Sequence, residues 1–90
     1  MRIRSLPATR HAVYRLSPDL LLIFKPRGHR EPAHAHPRRQ RLRVLRGELV
    51  VRSGARRVRL TAGGRALLLA AARMHSTVAV RDTWLIAEVL

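Results

Sequence analysis

The stretch Gly28-His-Arg-Glu-Pro-Ala-His34-Ala-His36-Pro-Arg-Arg-Gln40, followed by Gly47, decides the reading of this chain. Side chains alternate along a β-strand, so His34 and His36 point to one face if the segment is extended. Gln40 has the same parity, and an extended chain would aim it the same way. A further histidine comes much later, in Met74-His75-Ser76. Three same-facing groups able to hold a metal, plus a distant fourth, make a site and not a scatter.

Strand and turn signals continue outward from that stretch. Before it, Leu20 to Phe24 reads as a buried strand, and Arg27-Gly28-His29 as a turn. Glu31-Pro32 begins an extended piece. From Gln40, Arg41 and Arg43 alternate with Leu42 and Val44, which places the leucine and valine inside and the arginines outside. Gly47 marks a turn, and Glu48 to Arg52 forms the next strand. Ser53-Gly54-Ala55 is a hairpin turn leading to Arg57 through Leu60, and Ala62-Gly63-Gly64 is another turn. Ala66 to Ala72 fits helix or strand by composition; its length and flanking glycines favour a strand. Thr77 to Val80, a turn at Arg81-Asp82, and Thr83 to Leu90 complete the pattern. Short strands with turn signals at this spacing indicate an all-β barrel or sandwich. Residues 1–17 show no helical periodicity and read as an N-terminal extension or dimer arm before a barrel over 18–90.

Composition narrows the function. Ninety residues suffice for one small domain. A chain of this size buries only about 60% of its unfolded surface, which makes a homodimer an expected source of extra stability. No cysteine is present, so neither disulfides nor thiolates contribute. Leu20 to Phe24 is far too short to span a bilayer, and no secretory signal is evident, so a cytoplasmic location is expected. The formal charge of +14 comes from eighteen arginines and one lysine against five acids. Such a field attracts acidic small molecules and permits nonspecific nucleic-acid binding. Aromatic residues are not interleaved with the basic ones, which argues against a single-strand stacking platform.

The spacing Gly28-x5-His34-x-His36-x3-Gln40-x6-Gly47 resembles the first motif of the cupin superfamily, which usually has Glu where this chain has Gln40. Gly64-x5-Ala70-x-Ala72-x2-His75 is similar to the second motif. There Ala70 replaces a proline, Ala72 a glycine, and Ala79 stands where an asparagine often follows. The resemblance runs from about Leu20 to Leu90. It is nearest to the small cupins of pectin and alginate breakdown, which share His34-Ala-His36-Pro37-x-x-Gln40, Val44-Leu45-x-Gly47-Glu48-Leu49, and Asp82-Thr83. That family promotes the linear opening of unsaturated uronates to ketonic sugar acids.

The resemblance implies a double-stranded β-helix, a barrel of about six to eight strands. It implies one divalent transition metal held by His34, His36, Gln40 and His75. Zinc, nickel, manganese and iron all accept imidazole, so the ligand set selects none of them. An anionic sugar acid is the expected substrate, with Arg38 or Arg39 in the intervening loop as candidates to meet its carboxylate. The family places a functional aspartate in its last strand, with an arginine beyond it. Here Ala87 occupies the aspartate position, Glu88 stands beside it as the candidate acid–base group, and the sequence ends at Leu90. The substitution at Ala87 makes a non-catalytic binding or sensing cupin the alternative. A metal-dependent dioxygenase and a charge-driven nucleic-acid binder are further alternatives. His11 and His29 lack the motif spacing and are expected to be solvated. Glu31 differs from His34 in parity and is left outside the ligand set. Trp84 is expected in the core or an interface.

Overall fold

The computed structural model describes residues 10–90. It contains nine strands and no helix among them: β1 (Ala12–Ser17), β2 (Leu20–Lys25), β3 (Arg30–His34), β4 (Gln40–Arg46), β5 (Glu48–Ser53), β6 (Arg56–Thr61), β7 (Leu67–Leu69), β8 (His75–Ala79) and β9 (Thr83–Val89). They form two antiparallel sheets with the orders β1-β2-β9-β4-β7 and β3-β8-β5-β6. The all-β reading therefore holds, including the strand assignment at the ambiguous Leu/Ala run. That run contributes only three residues to a strand, as β7, because Gln40, Arg41 and Leu42 are its partners. Residues 12–17 of the expected extension pair with β2 as the edge of the five-stranded sheet. The part of that extension over 1–9 lies outside the described residues.

Alternation sorts the larger sheet into two faces. Leu42, Val44, Leu85 and Ala87 point inward and are buried against Leu49, Val51, Leu60, Leu69 and Ala79. The intervening positions face out. There Leu22, Phe24 and Trp84 form a second cluster with Tyr14, Leu45 and Ile86. Trp84 thus serves packing, its ring centroid 4.9 Å from that of Phe24. Arg41 and Arg43 are exposed, as their parity requires. Burying side chains as completely as Leu22, Leu49 and Leu85 contributes about 1.5–3 kcal/mol each.

Two turns fix the approach of the sheets. Gly47 has φ +95°, and a Cβ there would lie 2.3 Å from the Asp82 carbonyl oxygen. The neighbouring Thr83 is fully buried. Its Oγ1 accepts from the Glu48 N–H (3.1 Å) and lies within donating distance of the Arg81 (2.8 Å) and Glu48 (3.0 Å) carbonyls. The Asp82 carboxylate accepts from the Arg27 N–H at 2.8 Å. The Asp82-Thr83 pair therefore closes a corner of the barrel.

Candidate metal centre

His34 and His75 lie directly opposite each other in the β3–β8 pair. His36 follows in the bend that carries the chain out of β3. The three rings meet with centroids 4.5, 4.8 and 5.2 Å apart. One ring nitrogen from each comes within 4.8 Å of the others, so the trio could hold a metal ion. Gln40 lines the same cavity, of about 270 Å³, in the barrel interior. It arrives there by a route different from the expected one. Pro37-Arg38 bends the chain, and Gln40 begins β4 on the opposite sheet. Its inward direction follows from its parity with Leu42 and Val44, not from its parity with the histidines.

Two hydrogen-bonding facts bear on whether this set suits a cation. The His34 Nδ1 lies 2.7 Å from the Pro32 carbonyl, which fixes that nitrogen as the protonated donor and leaves Nε2 as the lone-pair donor. Such an outer partner is the usual way a ligating imidazole is oriented. The His75 Nδ1 is buried and has no hydrogen-bond partner among the described residues, an unusual condition for a buried polar atom. Burial first, and the neighbouring His34 second, push the His75 pKa below the ordinary histidine value; the same two causes act on His36. Neutral imidazole is the form that binds metal, so the environment favours ligation. The donor set fits a divalent transition ion.

Other expected site residues fall elsewhere. The Glu88 side chain is on the outer face, where its carboxylate accepts from Arg41 Nε at 3.0 Å. Ala87 lines the cavity and Glu88 does not, because one step along β9 reverses the face. Arg38 donates to the Leu90 carbonyl (3.1 Å) and pairs with Asp19 (3.4 Å) on the surface. Arg39 is also exposed. Neither arginine lines the cavity, so the expectation that one of them meets a substrate carboxylate there is corrected, as is the acid–base assignment to Glu88.

The structure adds a group that sequence parity missed. The register of the β3–β8 pair shifts between Glu31 and His34. Three steps on β3 match two on β8, a bulge of one residue. The bulge turns Glu31 into the same cavity as His34 despite their opposite parity. His29 Nε2 lies 3.1 Å and His11 Nε2 3.6 Å from Glu31 Oε1, and the two imidazoles stack at 4.3 Å. His11, which is exposed as expected, and the half-buried His29 are therefore also partners of a carboxylate. Pro32 was the available signal, since proline within a strand marks an edge or a bulge.

No family model matches the sequence, and no curated protein does. Solved structures do. KdgF from a Halomonas species is 25% identical and superposes with a TM-score of 0.68 over 88% of this chain and 76% of its own. A cupin superfamily protein from Desulfitobacterium hafniense, 14% identical, reaches a TM-score of 0.77 over 94% of this chain and 84% of its own. An RmlC-like cupin from Shewanella frigidimarina, 20% identical, gives 0.70 over 89% and 83%. The chain shares its two-sheet barrel with these proteins over most of its length, so its fold is the double-stranded β-helix of the cupins.

Proposed function

We propose that this protein is a small metal-binding cupin that acts on an anionic small molecule, a sugar acid, by isomerisation or ring opening. The observation that carries the reading is the convergence of His34, His36 and His75 on one cavity, with His34 locked by Pro32 and the His75 Nδ1 left unpartnered. A divalent ion held there by the three imidazoles, with Gln40 as a fourth donor, would supply Lewis acidity toward a carbonyl or carboxylate. The motif resemblance to the uronate-linearising cupins supports a sugar acid as ligand, and the likeness to KdgF supports the barrel that would hold it. Leu21, Ile23, Leu42, Leu49, Leu69 and Leu85 wall the cavity and exclude water from its apolar side.

A non-catalytic binding or sensing role is the second reading. Ala87 favours it, because a methyl group stands where the related enzymes carry an acid, and Glu88 faces away. Incubation of metal-loaded protein with an unsaturated uronate, followed by NMR, separates the two. Ring opening faster than the uncatalysed rate, and lost in His34→Ala and His75→Ala, is expected for the enzyme. A full metal load without turnover would overturn the enzymatic reading and leave the binding one.

A further inference from the structure

Of the nineteen basic residues in the chain, one is a lysine. Lys25 is also buried, at 6% exposure, while the described arginines are not. It ends β2, where parity with Leu21 and Ile23 turns it into the barrel. There it lines the cavity that holds His34, His36, Gln40 and His75, and none of the described arginines does. A buried ammonium is costly unless its charge is compensated and its donors are used. The Glu31 carboxylate supplies the charge, with Nζ 3.4 Å from Oε1. That same oxygen is also approached by His29 and His11. An ammonium carries three donors, and among the described residues Glu31 accepts from one, at long range.

Thr77 provides an independent observation. It is Glu31's partner across the β3–β8 pair, is 6% exposed, and lines the same cavity. Its Oγ1 has no hydrogen-bond partner among the described residues. A buried hydroxyl and a buried ammonium with spare donors, set in one cavity, are complementary to an anionic oxygen.

We propose that Lys25 and Thr77 form a carboxylate-binding subsite beside the histidine trio, so that the cavity selects an acid over its neutral counterpart. Glu31, steadied by His29 and His11, acts as a positioning residue that holds the ammonium in place. The inference rests on the reading of the trio as a metal centre that holds the ligand. It gives a structural reason for the one lysine in an arginine-rich chain: a compact ammonium fits where a planar guanidinium with five donors would leave several unsatisfied. His11, His29 and Glu31 have donor atoms within 4.8 Å of one another and could themselves gather an ion. The buried charge of Lys25 next to the shared carboxylate opposes a second cation there.

Calorimetric titration of zinc-loaded protein with D-galacturonate and with D-galactose tests the subsite, with zinc content measured on every sample. The parent is expected to prefer galacturonate. Lys25→Met should weaken that binding by at least about tenfold, the loss of one charge-assisted hydrogen bond. Thr77→Val, which conserves shape and guards against misfolding of the lysine variant, should weaken it several-fold. Both should retain zinc and leave galactose binding unchanged. Zinc-loaded variants that bind galacturonate as tightly as the parent would overturn the proposal. So would a parent that shows no preference for galacturonate, or a second zinc per chain that disappears in His11→Ala. A parent that takes up no zinc would instead overturn the metal reading, and a Lys25-dependent preference for galacturonate in that protein would still uphold the subsite.

Discussion

Ala72 sits at φ +59°, the only non-glycine among the described residues in the left-handed region. It occupies the place of the cupin motif's glycine, and its N–H donates to the His36 carbonyl at 2.7 Å. The conformation is thus demanded by a link between the two histidine segments, and an alanine there costs about 1 kcal/mol relative to glycine. Ala72→Gly should raise the unfolding free energy by about 1 kcal/mol in chemical denaturation; an unchanged or lower value would contradict the account. Glu31 gives a second prediction. The His29 hydrogen bond, and then the Lys25 charge, hold its pKa below the ordinary value of about 4.5 against the opposing effect of burial. Between its folded value and about 4.5 the unfolded chain binds more protons, so stability falls as the pH falls through that window. The stability gap between the parent and Glu31→Gln should therefore narrow from pH 7 to below that window. A constant gap in denaturation midpoints would contradict it. At this scale the histidine trio was legible in the sequence, because His34-x-His36 is local and His75 has a motif of its own. Glu31 was not, since a single bulged residue reverses its parity; nor was Lys25, since the uniformly apolar run Leu20 to Phe24 shows no alternation to say which face its end turns inward.

Strand boundaries follow the glycine and Ser-Gly turns closely, as at Ser53-Gly54-Ala55 between β5 and β6. The exceptions have physical causes. β7 is only Leu67–Leu69, which pairs with Gln40–Leu42 at the start of β4 while the rest of β4 runs on without it. β1 was hidden because only Ala12 and Tyr14 of its six residues are even partly buried, which leaves little alternation to read. The face of Gln40 was anticipated although its path was not, since the bend at Pro37-Arg38 transfers the chain between sheets. The β4–β5 connection allows a sharp test. Gly47 combines a positive φ with the Asp82 backbone where a side chain would begin. Gly47→Ala should destabilise the fold by at least about 2 kcal/mol, from left-handed strain together with the clash. Retention of the parent's thermal midpoint would show that the corner is less constrained than the contacts with Thr83 and Asp82 imply.

Across the whole molecule, the sheets divide the labour. The β3–β8 pair brings two histidines, the Glu31 carboxylate and Thr77 to the cavity, whereas the larger sheet brings Lys25 and Gln40. The large positive charge is mostly displayed on outer surfaces, where alternation places residues such as Arg41 and Arg43, and among the described residues the cavity is lined by one permanent cation, Lys25. Sequence composition reports the first fact and conceals the second, because it counts charges without placing them. The barrel does not dictate a reaction, since one fold hosts many chemistries. What distinguishes this barrel is its inward-facing polar groups, and Lys25, Glu31, Gln40 and Thr77 line one cavity with the histidine trio. Elemental analysis of untagged protein, beside His34→Ala and His75→Ala variants, tests that convergence most directly. About one transition-metal ion per chain in the parent, and little in either variant, is the predicted result. Parent protein that carries no ion and takes up none of zinc, nickel, manganese or iron on titration would contradict the account.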